Sequence, residues 1–180
     1  KALSKKEKII GITNKSELKA VENSEKVNID LYDHKQIIDF VDKYKTKLKR
    51  ITLIQLAVLK IDGLIANYSI ENARKTFELN VISNMSLVQN LLPIMIQQKW
   101  GRIIHASSFF AVRGAVGAGI YASSKSALQG YSKTISNEYG RFGITSNIIN
   151  MGYFEKGLIN TFDKNEIENL IKDSPLKRLG

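Results

Sequence analysis

The chain has 180 residues, 43% hydrophobic and 24% charged, which suits one domain with a sizeable core and excludes a disordered chain. It has no cysteine, which excludes disulfides, thiolate catalysis and cysteine metal sites; its two histidines, His34 and His105, lie far apart, so no metal site is expected. The net charge is +10, but residues 1–50 hold 13 basic against 8 acidic residues, or +5, leaving +5 for the rest, so the excess is spread and no dedicated nucleic-acid surface is expected.

KIIGIT (8–13) is a short apolar run, hence a strand, and KVNIDL (26–31) is another. Asp33-His34-Lys35-Gln36 has the form of a capping box, with Asp33 as N-cap. Behind it Ile37, Ile38, Val41, Tyr44 and Leu48 fall on one helical face. ITLIQLAVL (51–59) is continuously apolar, as a strand buried on both faces would be. Lys60 ends that run, and no uninterrupted apolar run reaches the roughly eighteen residues of a membrane helix. The lysine-rich start is not followed by a long apolar core, so no signal peptide is read; a cytoplasmic protein without a membrane partner is expected.

A long helix is predicted over 71–98, with Phe77, Val81, Met85, Val88, Leu91, Leu92 and Met95 at helical spacing and Trp100-Gly101 after it. RIIHAS (102–107) is the next strand. A helix over 121–139 ends at Gly140 and Gly143, a strand follows at 144–150, and a last helix covers 165–172 before Pro175. Strands alternating with helices of this length predict an α/β protein: a doubly wound, Rossmann-like parallel sheet. Ligands in that class sit at the carboxyl ends of the strands, where Asp30, Ala57, Ser108 and Gly152 fall.

Tyr121-Ala-Ser-Ser-Lys125 alone carries little weight, since about 0.8 chance matches to Tyr-x-x-x-Lys are expected here. Adding a serine thirteen residues before the tyrosine (Ser108) and an asparagine forty-one before it (Asn80) lowers that expectation to about 0.005. Each residue also lands on a suitable element, and Tyr121 and Lys125 lie one helical turn apart. His105 beside the serines invites a hydrolase reading, but there is no G-x-S-x-G elbow. Gly114, Gly117 and Gly119 lack the spacing of a phosphate cradle and are read as a flexible loop bordering the substrate.

The chain resembles the short-chain dehydrogenases/reductases, and within them the 3-oxoacyl-acyl-carrier-protein reductases. GRIIHASS resembles the strand leading to that family's serine. YASSKSALQGYSKTISNEYGRFGITSNIIN resembles its catalytic helix and next strand, FELNV the segment with its asparagine, and SPLKRLG a stretch near its C-terminal region. The resemblance implies an NAD(P)-dependent oxidoreductase moving hydride between nicotinamide and a carbonyl or secondary alcohol. It implies Tyr121 as general acid/base, Lys125 lowering the tyrosine pKa and bonding the nicotinamide ribose, Ser108 orienting the substrate oxygen, and Asn80 holding a proton-relay water. Asp30 and Leu31 resemble the adenine contact, and Ala57 is all that survives of the family's Asn-Asn-Ala-Gly turn, here Gln55–Val58. Its Pro-Gly is Met151-Gly152, and the threonine expected four residues after that glycine is Lys156. Lys15 stands where an acid would hold the ribose of NAD, which tilts the reading towards NADP.

Residues 1–180 are expected to form a single domain that lacks the family's first strand and glycine-rich loop, incomplete at both termini. The resemblance also implies a homodimer or homotetramer through helices 71–98 and 121–139, where Ala122, Ser123, Ser126 and Ala127 allow close packing. Tyr153, Phe154 and Lys156, in a covering segment Gly152–Asp163, are expected to set specificity for a small carbonyl substrate. The competing reading is a non-catalytic Rossmann-like assembly or regulatory subunit that has lost cofactor binding.

Overall fold

A computed structural model describes residues 7–14, 22–155, 159 and 162–180. In chain order it contains β1 (Ile9–Thr13), β2 (Ser24–Asn28), α1 (His34–Tyr44), β3 (Thr52–Gln55) and α2 (Ile70–Phe77). A π-helical turn (Glu78–Ile82) joins α2 to α3 (Ser83–Gln98). Then come β4 (Gly101–Ser108), α4 (Phe110–Arg113), α5 (Gly119–Tyr139), a 3-10 turn, β5 (Ile144–Met151) and α6 (Lys164–Asp173). All strand pairs are parallel: β1 with β2, and β3-β4-β5 in that order. No described strand lies between the two groups or on the other edge of β3.

Both groups share one core. Ile10, Ile12 and Val27 pack against the cluster that holds Ile37, Val88, Met95, Ile103 and Ile144. On β4, Ile103, His105 and Ser107 are buried by the helices, as period-2 alternation requires. Gln55, level with His105, donates from Nε2 to the Asn84 carbonyl on α3 at 3.0 Å, while His105 lies edge-on to Tyr131 of α5 at 5.9 Å. So α3 and α5 cover the same face. The opposite face of this sheet exposes Ile54 (41%) and Ile149 (53%).

Several boundaries differ from the sequence reading. The predicted strand 51–59 ends at Gln55, because the Leu59 N–H and C=O both bond to the Asn80 side chain instead of a neighbouring strand. The second strand begins and ends earlier than predicted, and α5 starts at Gly119. The Asp33 cap forms as read, accepting from Lys35 and Gln36 N–H groups. Gln36, however, closes the box by accepting from the Asp30 N–H at 2.9 Å and donating to the Asp33 carboxylate at 3.0 Å. Gly143 is obligatory: its φ is +74°, and a Cβ would sit 2.4 Å from the Lys99 carbonyl oxygen.

One stretch, Ile70–Gln98, is long and apolar enough by composition to cross a membrane, although polar residues interrupt it. Half of its apolar window is buried inside the protein, where Leu87, Val88, Leu91 and Met95 form core. Its hydrophobicity is accounted for by packing.

Candidate active site

The junction between α2 and α3 gathers the carboxyl ends of the strands. A π-turn widens the helix at residues 78–82, a distortion common at functional sites. It turns the fully buried Asn80 side chain outward from the helix ladder. Asn80 Oδ1 accepts from the Leu59 N–H at 2.8 Å, and Nδ2 donates to the Leu59 carbonyl at 2.9 Å and the Ser124 hydroxyl at 3.0 Å. One side chain thus fastens the exit of β3 to α5. Three residues later, at the start of α3, Ser83 donates to the Leu31 carbonyl at 2.6 Å and fastens the exit of β2. The resemblance assigns Asn80 to holding a relay water; in the structure each polar atom of its amide also has a protein partner.

β4 delivers two serines to the start of α5. Ser107 donates to the Lys125 carbonyl at 3.1 Å, pinning the helix to the strand. The Ser108 hydroxyl accepts from the Phe110 N–H at 3.2 Å, which turns the chain into α4. Tyr121 is 6% exposed, and its burial raises the phenol pKa above its usual value while the neighbouring Ser108 hydroxyl offsets part of that rise. Lys125 was expected to lower the tyrosine pKa. Its Nζ instead donates to the Ala106 carbonyl at 2.7 Å and lies 5.9 Å from the Tyr121 ring centre, so desolvation decides the phenol's behaviour. Burial also brings the Lys125 ammonium down to about 8.

Behind this cluster lies His105, fully buried and held neutral by desolvation first and by the Lys125 charge second, with a pKa of about 4. Its Nε2 meets the Ser146 hydroxyl at 3.1 Å, and Ser146 meets Ser132 at 2.8 Å. This is a packing network on the helix-covered face; it places no nucleophile in the cavity and offers no support to a hydrolase.

In front of Tyr121 is a cavity of about 210 Å³. Its floor is Ser107, Ser108 and Tyr121, and its walls are largely apolar, including Val58, Phe110, Met151, Tyr153 and Phe162. Phe110 stands edge-on to Tyr121 (6.4 Å) and to Tyr153 (5.8 Å), and Tyr153 edge-on to Phe162 (5.9 Å). Phe110 and Phe162 carry no spacing signal in the sequence, because edge-to-face ring pairs follow no fixed period. The glycine loop does not line the cavity. It is pinned away from it by the Gly63 N–H bonding to the Gly117 carbonyl at 2.8 Å.

Of the residues read as cofactor contacts, Gly152 lines the cavity, and a Cβ there would meet open space. Tyr121 and Lys125 are beside it. Asp30 and Leu31 follow β2, with Asp30 Oδ1 accepting from the Tyr32 N–H at 3.0 Å. Ala57 is half-buried on the segment leaving β3. Lys15 and Lys156 lie outside the described residues. The open, apolar space at Gly152 against a tyrosine hydroxyl fits the ring of a nicotinamide, with Lys125 near enough to Tyr121 to share one ligand.

The model of the short chain dehydrogenase family matches residues 5–167. The chain belongs to that family. It is 31% identical over 137 residues to the 3-oxoacyl-acyl-carrier-protein reductase of Buchnera aphidicola, covering 76% of this chain and 56% of that protein. The human 3-oxoacyl-acyl-carrier-protein reductase is 30% identical over 71% of this chain and 53% of its own length. The chain therefore spans little more than half of these relatives. The structure of a gluconate 5-dehydrogenase from Burkholderia cenocepacia, in complex with NADP and tartrate, superposes with a TM-score of 0.82 at 22% identity, over 88% of this chain and 64% of that one. The Rossmann-like fold class read from the sequence is borne out by that likeness and by the parallel strands with their flanking helices.

Proposed function

We propose that this short-chain dehydrogenase is an NAD(P)-dependent oxidoreductase acting on a small carbonyl or secondary alcohol, with Tyr121 as general acid/base. The observation that carries this reading is the buried Ser108–Tyr121–Lys125 cluster opening onto an apolar cavity at the carboxyl end of β4. The family match and the reductase names of the relatives support it.

When bound, the nicotinamide supplies or accepts the hydride. The chain's own groups manage the oxygen. Ser108 orients it by hydrogen bonding, and Tyr121 gives its proton to the developing alkoxide during reduction or takes it back during oxidation. The apolar wall excludes water, which strengthens both hydrogen bonds. Lys125, buried with a pKa of about 8 and held by the Ala106 carbonyl, is the residue assigned to bonding the nicotinamide ribose. Asn80 acts as the brace that fixes Leu59 against α5. Gly152, Asp30, Leu31 and Ala57 are the positions assigned to holding the dinucleotide, with Lys15 inclining the choice to NADP. Residues 1–180 are read as one domain. A homo-oligomer in the cytoplasm, as the family resemblance implies, completes the proposal. No observation favours the non-catalytic alternative.

Full-length protein titrated with NADPH and NADH, with fluorescence as the readout, tests the reading directly. Saturable binding with preference for NADPH is expected. Absence of binding to either nucleotide would overturn it.

A further inference from the structure

The aromatic wall of the cavity runs from the Tyr121 hydroxyl to a cation. Tyr121, Phe110, Tyr153 and Phe162 follow one another edge to face, and the Lys60 ammonium lies 5.9 Å from the Phe162 ring centre. Lys60 lines the same cavity as Tyr121. Among the described lining residues it is the one with a full charge, and none is acidic. Its side chain is 11% exposed. A lysine this covered is held at some cost in hydration and requires an anionic partner.

That partner is Asp62, two residues along the chain and 58% exposed. Asp62 is the exposed member of the pair and can turn into water with little loss. An ammonium has three N–H donors, so Asp62 uses only part of its capacity. The arrangement is a buried cation with a removable counter-ion at the far end of an aromatic trough. Anion exchange at Lys60 would replace a local, half-exposed pair with a ligand anion that comes already attached to an apolar body.

Building on the oxidoreductase reading, we infer that Lys60 is the specificity-determining residue of this cavity, and that the preferred substrate is a carbonyl compound with a flat apolar body and a carboxylate at the end opposite the carbonyl. The carbonyl oxygen meets Ser108 and Tyr121, the body lies along Phe110, Tyr153 and Phe162, and the carboxylate displaces Asp62 from Lys60.

The test compares acetophenone with para-acetylbenzoate as substrates for the full-length protein, following NADPH absorbance. The two differ only in the far carboxylate. Wild type is expected to favour the acid by about 10-fold in kcat/KM, mostly through KM, as for a charge-assisted hydrogen bond. Lys60→Met should collapse that preference to about 2-fold or less, Lys60→Arg should keep it, and Asp62→Asn should enlarge it. No preference in wild type, or a preference that persists in Lys60→Met, overturns the inference. An equal loss of NADPH affinity and acid preference in Lys60→Met also overturns it, because the anion recognised would then be a cofactor phosphate. If wild type reduces neither ketone, the oxidoreductase reading fails on its own account. Calorimetric titration of para-acetylbenzoate then decides Lys60 separately: binding lost in Lys60→Met supports the anion site, and equal or absent binding overturns it.

Discussion

The carboxyl ends of β3 and β4 are neighbours in one sheet and are built on opposite lines. β4 ends in Ser107 and Ser108, both buried, both hydrogen-bonded, with α5 clamped on top by Ser107 and the Lys125–Ala106 bond. β3 stops at Gln55, and the chain leaves it with Leu56 64% exposed and Val58 37% exposed. The first end is held because β5 stays paired with it as far as Ser108 opposite Met151, although β3 accompanies it only as far as His105. The second has a described strand on one side only, and beyond Gln55 its backbone is held by a side chain, Asn80. The groups assigned to the chemistry are thus held in place by β5 and α5, while the segment assigned to the dinucleotide is held mainly from one flank.

The sharpest way to break this contrast is Tyr121→Phe. If the β4 end carries the chemistry and the β3 end the nucleotide, turnover should fall by about 100-fold to 10,000-fold while nucleotide affinity stays within about 3-fold. Stopped turnover and titration with NADPH measure the two halves separately. Retained activity would remove Tyr121 from its assigned role.

Next in size is the buried ammonium. Lys125 titrates near 8 in the folded protein against 10.5 when exposed, so the unfolded chain binds the extra proton between those values. Its destabilising effect is complete below pH 8 and disappears as pH rises through 10.5. Wild type should therefore gain up to about 3 kcal/mol of stability across that window from this group. Lys125→Met should flatten that part of the profile. Urea unfolding at stepped pH is the check, and an unchanged slope in the variant would assign the effect elsewhere.

Asn80→Ala sharpens the comparison at its hinge. It strips the Leu59 N–H and C=O of their partners and leaves the Ser124 hydroxyl without its donor. A loss of about 2 kcal/mol is expected by thermal melting, since buried backbone groups would go unbonded. A shift no larger than that of a surface substitution would show that the exit of β3 is held by something other than Asn80.

The smallest expected effect lies at Leu56. As an exposed side chain, Leu56→Ser should change stability by no more than about 0.5 kcal/mol. A loss several times larger in full-length protein would mean that this end is covered there, and the contrast between the two strand ends would narrow.

The candidate site was partly legible because some of its signals are local. Tyr121 and Lys125 share a helix one turn apart, and Ser108 closes an apolar run, so spacing exposes them. The helix over 71–98 announces itself by periodicity, although the π-turn inside it does not, because a single widened turn leaves the apolar pattern nearly intact. The covering aromatic residues were legible only in part: Tyr153 and Phe154 follow the Met151-Gly152 landmark, but Phe110 is tied to it across 43 residues and Phe162 by a ring contact that has no spacing signal. The phenol's raised pKa was not legible either. A lysine four residues away suggests a lowered value, and only the direction of that lysine and the depth of burial reverse it.

By itself the sequence determined the alternation of strands and helices, the family, and the identities of the four residues at its motif, since periodicity and spacing are properties of a line of residues. The tertiary structure decided what those residues touch. It made Asn80 a brace, turned Lys125 towards the Ala106 carbonyl, removed the glycine loop from the cavity, and set Lys60 at the end of an aromatic wall. Those outcomes depend on burial and on contacts between distant segments, which only packing fixes.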